Sequence, residues 1–257
     1  MYRYDAAEGT WTRVADLPGP GVENPAVATD GTHLLVLGGS TAPFSGAVAT
    51  AWSYDPATDT WSALPSMPTA RGGATAQVVG GQVYVAGGMT GDGASTAVVE
   101  RLDLASGTWQ AAPPLQTPRD NAGSAVVDGV LYVLGGRTRL ANGQSPAPTL
   151  GSVEALTSGG WVARAPMPTA RRTMATGVLD GVLVAVGGEA RPDGLPFDAV
   201  EAYDPTTDEW SSLRRVPTAR HGAAAGVVGD RLHVVGGGQF AGAAASAVHE
   251  SFTLPPR

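Results

Sequence analysis

Apolar residues in this chain come in runs of four or five, and the runs recur in a fixed order. A run of small aliphatic residues, as in Gly123-Ser-Ala-Val-Val127, is followed two residues later by a more strongly apolar run ending on a glycine pair, as in Val130-Leu-Tyr-Val-Leu134 before Gly135-Gly136. Runs this short, bounded by turn residues, predict buried strands and not helices. A third run reads Val99-Glu-Arg-Leu-Asp103 or Val200-Glu-Ala-Tyr-Asp204, and a fourth starts at a tryptophan. The first and second runs are joined by Asp30-Gly31, Gly80-Gly81, Asp128-Gly129, Asp180-Gly181 and Gly229-Asp230. Such residues suit a two-residue hairpin turn, whose central positions need positive φ.

This order repeats about every fifty residues. Glycine pairs fall at Gly38-Gly39, Gly87-Gly88, Gly135-Gly136, Gly187-Gly188 and Gly236-Gly237, and Trp11, Trp61, Trp109, Trp161 and Trp210 keep the same spacing. A four-stranded meander cannot bury both faces alone, so the units must pack side by side around an axis. The pattern predicts an all-β chain, a β-propeller of four-stranded antiparallel blades filling residues 1–257 as one domain. Its units run over about 1–18, 19–65, 66–113, 114–166, 167–216 and 217–257. The chain opens and closes on a third-type strand, giving five blades' worth of sequence. Two arrangements fit: a five-bladed ring whose last blade is completed by the strand of Trp11, or an N-terminally truncated six-bladed propeller with an open sector.

Composition narrows the chemistry. Glycine and proline together number 56 of 257 residues, which fits many turns and no long helices. There is no cysteine, which excludes disulfides, thiolate metal sites and cysteine nucleophiles. All 16 basic residues are arginine, which excludes Schiff-base lysines and P-loops. A net charge of −7 gives no reason to expect nucleic-acid binding. No signal peptide is read at the start, and the least charged stretch, 234–248, is too short and glycine-rich to span a bilayer, so no membrane insertion is expected.

The glycine pair, the tryptophan of the fourth strand, the Val-Glu-x-Tyr-Asp type third strand and the Pro-x-x-Arg loop together resemble the kelch-repeat family, part of the galactose-oxidase-like superfamily. The resemblance covers essentially the whole chain and implies the propeller. It implies less about function, because kelch propellers serve as enzymes, partner-binding modules and scaffolds. Some relatives are copper-radical oxidases that need a cysteine crosslinked to tyrosine, an activity excluded here by composition. The four histidines make no metal constellation, and no cofactor is expected.

Glu100, Glu154, Glu201 and Glu250 share one repeat position, which marks them for fold maintenance, and the repeat tryptophans are expected to pack blade on blade. Trp52 stands off this pattern, at the position held by Tyr2, Glu100, Glu154, Glu201 and Glu250 in the other third strands, which marks it as a contact residue or as the filling of a local gap. No acid–base pair or nucleophile motif assembles, so no catalytic residue is named. When charges are sorted by face, acids collect on the turns after the first and third strands, and arginines on the opposite loop face. The candidate ligand-binding residues on that face are Arg71, Arg119, Arg171 and Arg220, which share one repeat position, with Arg172, His221, Arg137 and Arg139 beside them. Arg71, Arg119, Arg171 and Arg220 are expected to converge around one end of the axial channel, with Arg172 and His221 next to them. The variable loops 40–50, 89–97, 137–151 (with Asn142 and Gln144), 189–198 and 238–247 lie on the same face. These features predict a non-enzymatic binding module for an acidic peptide, protein or glycan. The resemblance leaves open a mutarotase-like enzyme acting on an acidic sugar, and a structural segment of a larger extracellular protein.

Overall fold

The computed structural model describes residues 1–42, 45–141, 148–191, 193–240 and 245–254, and among them it contains strands but no α-helix. The chain begins with a hairpin, β1 (Tyr2–Asp5) and β2 (Thr10–Arg13). The first blade starts with β3 (Ala26–Thr29) and β4 (Leu34–Leu37). A small side hairpin, β5 (Ser40–Ala42) and β6 (Ser45–Ala47), precedes its outer strands β7 (Ala51–Asp55) and β8 (Thr60–Leu64). The second blade is β9 (Thr75–Val79), β10 (Gln82–Ala86), β11 (Val99–Asp103) and β12 (Thr108–Ala112). The third is β13 (Gly123–Val127), β14 (Val130–Leu134), β15 (Val153–Thr157) and β16 (Gly160–Arg164). The fourth is β17 (Ala175–Leu179), β18 (Val182–Val186), β19 (Val200–Asp204) and β20 (Glu209–Ser212). The fifth has three strands, β21 (Ala224–Val228), β22 (Arg231–Val235) and β23 (His249–Phe252). The innermost strands β3, β9, β13, β17 and β21 are neighbours in that order around the axis.

Local chemistry explains most of this regularity. Gly80-Gly81, Asp128-Gly129 and Asp180-Gly181 have positive φ at both positions, as a tight hairpin requires. The first blade differs, since its connection spans residues 30–33 and is held by Asp30, which accepts from the amides of Thr32 and His33. The first four glycine pairs each make a joint between blades. The second glycine donates to the carbonyl of an arginine in the next loop: Gly39 to Arg71, Gly88 to Arg119, Gly136 to Arg171 and Gly188 to Arg220, at 2.8–3.0 Å. The first glycine lies so close to that same carbonyl that a Cβ would collide with it, and its φ is about 60–65°. Glycine is required twice over, by the backbone angle and by the close approach.

The tryptophans tie the rims. The indole of Trp61 donates to Ala15 O, that of Trp109 to Pro65 O, that of Trp161 to Pro113 O and that of Trp210 to Ala165 O, at 2.7–3.2 Å. Each bond runs to the segment just after the preceding fourth strand. The hairpin β1–β2 therefore relates to the first blade as each outer strand pair relates to the blade that follows it. On its other side Tyr4 packs against His233 and edge-on against His249, with ring centres 5.9 and 4.5 Å apart. Tyr203 meets Tyr132 of the preceding blade in the same way. The strand of Trp11 does not become the fourth strand of the last blade, because β2 bonds only to β1 and stands in a separate sheet.

These joints can be tested one at a time. Gly135→Ala should destabilise the protein well beyond Gly236→Ala in urea unfolding. Both force a side chain into left-handed backbone, at about 1–2 kcal/mol, but only Gly135 faces the carbonyl of Arg171, whereas Gly236 has open space beyond 3.7 Å. At the other joint, the pKa of His249 is held below its ordinary value of 6.5, chiefly by burial and then by His233 and Arg220. The neutral ring is the favoured folded form, so its stabilising contribution is full above pH 6.5 and is lost as pH falls below it. Unfolding midpoints at pH 7.5 and 5.5 should differ, and His249→Phe should reduce that difference.

Candidate functional site

The four repeat arginines do not line the channel. Arg71, Arg119, Arg171 and Arg220 are 0–1% exposed, among the most deeply buried large side chains of the molecule. Arg71 donates to Val85 O at the end of β10, to Val98 O just before β11 and to Glu100 at 2.9 Å. Arg119 bonds Gly135 O, Ser152 O and Glu154, the last at 2.5 Å. Arg171 reaches Ala185 O and pairs with Glu201 at 3.0 Å, and Arg220 bonds Val248 O and pairs with Glu250. In each blade the second and third strands part where the long loop leaves the sheet. The guanidinium enters that opening and satisfies carbonyls that would otherwise be buried without donors. Thr69 and Thr169 donate to Glu100 and Glu201, while the amides of Gln116 and Thr117 donate to Glu154.

The expectation that these four arginines meet a ligand is thereby corrected. Burial depresses their pKa values and the partner glutamates oppose that shift, but no guanidinium surface is left for an outside anion. Four of the seven candidate arginines of the loop face are thereby withdrawn from its surface charge. The first blade lacks both partners: Val22 and Trp52 replace arginine and glutamate, and with Leu17, Pro18, Pro20 and Val48 they border an apolar cavity of about 90 Å³.

The residues beside the buried arginines do surround the axial mouth. Past each glycine pair the chain crosses back to form a one-residue antiparallel bridge, joining Glu23–Ser40, Gly72–Met89, Asp120–Arg137, Arg172–Glu189 and His221–Gly238. Each bridge has two backbone hydrogen bonds of 2.7–3.1 Å. The next residues, Asn24, Gly73, Asn121, Thr173 and Gly222, all have left-handed φ of 49–64°. They link blade to blade, with Gly73 N donating to Asn24 O, Asn121 N to Gly73 O, Thr173 N to Asn121 O and Gly222 N to Thr173 O, at 2.7–2.9 Å. The mouth is thus one backbone frame carrying different side chains in each blade.

Four of the eight expected residues, Arg137, Arg139, Arg172 and His221, belong to this mouth. Arg137 Nε pairs with Asp120 at 2.9 Å and Arg172 Nε with Glu189 at 3.0 Å. His221 Nε2 lies 3.0 Å from Phe240 O. The amide of Arg139 donates to Ser95 Oγ, which itself donates to Asp120 at 2.6 Å. Burial is the main cause lowering the Arg137 pKa; Asp120 opposes it, and the positive charges of Arg172 and Arg139 add to it. Three arginines therefore share one patch with two carboxylates. Met89 and Asn121 also face the mouth, where with Asn24, Ser40, Gly72, Gly73, Asp120 and Arg137 they line a cavity of only about 20 Å³. That holds about one water molecule. The positions Met89 and Asn121 follow a glycine pair and a repeat arginine by a fixed offset, and that offset was the available signal for them. Asn142 and Gln144 lie outside the described residues.

A wider cleft of about 320 Å³ lies between the second and third blades, lined by Tyr84, Arg101, Leu131 and Ser158 among others, and its lining contains no carboxylate. Among the described residues no group of three or more His, Cys, Asp or Glu side chains could hold a metal ion.

Four-stranded blades around an axis, joined by glycine pairs and pinned by a buried Arg–Glu pair, define a repeat β-propeller. The family model described as the KLHDC2/KLHL20/DRC7 Kelch-repeats domain matches residues 25–237, and the chain belongs to the kelch-repeat family. Kelch-like protein terF of Aspergillus terreus is 33% identical over 99% of this chain and 58% of its own length. Human Kelch-like protein 34 is 31% identical over 82% of this chain and 34% of its own length. The chain thus spans little more than half of the first of these relatives and a third of the second. The solved structure of YjhT superposes with a TM-score of 0.73 at 21% identity, covering 87% of this chain and 75% of that one, a likeness of fold.

The buried pairs give a double-mutant test. Arg119→Met should destabilise by about 3–5 kcal/mol because it strands Glu154 in the interior, whereas Arg119→Met combined with Glu154→Leu should recover much of that loss. Urea unfolding of the single and double variants measures both. An Arg119→Met variant as stable as the wild type would contradict the scaffold role.

Proposed function

We propose that this propeller is a protein-binding module whose axial mouth receives an acidic loop or peptide of a partner. The observation that carries the reading is the mouth itself: a rigid backbone frame with a different side-chain pair in each blade, and with Arg137, Arg139 and Arg172 grouped on one side. Loops on a fixed scaffold are where recognition residues collect. The small mouth cavity favours a ligand lying across the surface over a small molecule enclosed within it, since enclosed ligands occupy about 300–1,000 Å³. Kelch-repeat relatives that carry the same repeat as part of longer chains are consistent with a module of this kind.

Arginine suits the task because a planar guanidinium can offer a carboxylate two parallel hydrogen bonds while keeping its charge. Asp120 and Glu189 already engage two of the guanidiniums, so a partner carboxylate would add to or displace those bonds. That competition favours a partner with several acids over one with a single charge. The test is calorimetric binding of an acidic peptide, a neutral peptide of equal length and an acidic monosaccharide, at low and high salt. Binding should be confined to the acidic peptide and weaken with salt. Arg139→Ala with Arg172→Ala should reduce affinity by a factor of about ten or more for each guanidinium removed, at about 1.5–3 kcal/mol per charge-assisted bond. Equal binding of neutral and acidic peptides would refute the charge preference, and binding of the monosaccharide alone would favour an enzyme-like pocket.

A further inference from the structure

On the turn face, opposite the mouth, one residue of each third strand packs into the seam with the preceding unit, and one seam departs from the others. That residue is paired with the fourth-strand tryptophan: Tyr54 with Trp61, Leu102 with Trp109, Leu156 with Trp161 and Tyr203 with Trp210. Tyr54, Leu102 and Tyr203 are 0–4% exposed, whereas Leu156 is only half-buried. Two differences of sequence account for this. Tyr54 and Tyr203 each donate to an aspartate of the following turn, Asp59 and Asp208, which accepts the amide of Ala15 or Ala165 in the preceding unit. The third blade has Leu156 in place of the tyrosine, and the preceding unit offers it Pro113, which has no N–H. Its turn is also shorter, with two residues between β15 and β16 where the other complete blades have four. The second blade has a leucine and Pro65 as well, but its full-length turn brings Gly107 against Pro65 and closes that seam. The third blade's seam stays open as the cleft of about 320 Å³.

Arg101 lines this cleft from a position where the other blades carry Ser53, Ala155, Ala202 and Ser251. Its Nη2 donates to Gln110 Oε1 at 2.9 Å, but its Nε is buried without an acceptor. Arg71, Arg171 and Arg220 also have a bare Nε, but theirs lie in the closed interior, whereas Arg101 borders open space. A buried donor without a partner is costly, and an incoming acceptor recovers that cost. Tyr84 and Ser158 bring hydroxyls to the lining, and the 3.4 Å contact of the Tyr84 hydroxyl to Gln82 is long for such a donor. Val79, Leu131 and Leu156 supply apolar walls. We infer that the cleft binds a small, flat monocarboxylate, with its carboxylate on Arg101 and its apolar body between Tyr84 and Leu156. The volume lies at the lower end of the range of about 300–1,000 Å³ for small-molecule sites. Asp103 and Asp128, within two residues of the lining in sequence, oppose a second negative charge and so select against polyanions. The cleft is at the opposite end of the strands from the mouth, so its ligand is independent of what the mouth receives.

The test is a chemical-shift titration of the isotope-labelled chain with benzoate, benzamide and benzylammonium. Benzoate should move the amides around Tyr84, Arg101, Leu131 and Ser158 and bind about tenfold or more tightly than benzamide, with benzylammonium the weakest. Arg101→Met should weaken benzoate by about tenfold or more and leave benzamide unchanged. Leu156→Tyr, which installs the residue that Tyr54 and Tyr203 supply elsewhere, should abolish binding of both by filling the cleft. Urea unfolding reports whether each variant is folded; where one is not, the other variant and the wild-type ratio of benzoate to benzamide decide. Benzoate that leaves the cleft amides unmoved, or moves only those of the mouth near Arg139 and Arg172, overturns the proposal. So does a folded Arg101→Met variant that binds benzoate as tightly as the wild type. Equal affinity for benzamide overturns the carboxylate as the recognised group, and undiminished binding by folded Leu156→Tyr overturns the placement.

Discussion

A guanidinium with almost no exposed surface, held between two diverging strands and a glutamate, is the element on which the rest of this propeller depends. Each blade must open where its second strand leaves for a long loop on the mouth face, and opening a sheet exposes carbonyls that have no water to bond. Arginine has enough donors in one plane to satisfy the strand carbonyls and the carboxylate together, which explains why lysine is not used there. The same arginine's own carbonyl receives the amide of the preceding glycine pair, as Arg171 receives Gly136. One residue thus closes its own blade with its side chain and joins the previous blade with its backbone. Loop variation at the mouth is tolerated because the strands beneath it are fixed by this contact and not by the loop.

The fold is almost fully legible in the sequence, because the features that build it are periodic and local. Glycine pairs, tight turns and tryptophans report on backbone angles and neighbouring residues, and they keep their meaning in the structure. The side hairpin Ser40–Ala42 with Ser45–Ala47 is not among the predicted strands, since its residues carry no alternating apolar pattern. The site is less legible. Charge and loop position put Arg71, Arg119, Arg171 and Arg220 on the correct face, but a linear sequence does not say whether a side chain points outward or inward. A signal is nonetheless present. The arginine and the glutamate are both replaced in the same repeat, by Val22 and Trp52, and joint replacement is the mark of two groups that need each other.

The mouth residues illustrate the opposite case. Arg137, Arg172 and His221 occupy repeat positions whose identity changes from blade to blade, while the backbone around them does not. Their role cannot be read from residue type, because Glu23, Met89 and Gly238 hold equivalent places. What identifies them is the bridge geometry, which gives every blade the same opportunity to present a different group. Position in the frame, more than chemical character, decides which side chains face the mouth.

Because the joints described run between neighbouring units, with the β1–β2 hairpin bridging the fifth and first blades, this molecule is energetically a one-dimensional array. Glycine-pair, indole and mouth bonds each couple a blade to its immediate neighbour, and none of them spans the axis to a distant one. In such an array cooperativity is passed from one unit to the next, and the units at the two ends have one supporting neighbour where the middle units have two. Unfolding should therefore begin at the first and fifth blades, which meet through the β1–β2 hairpin alone, with the third blade the last to open, so that the axial mouth keeps its shape on one side after the other has frayed.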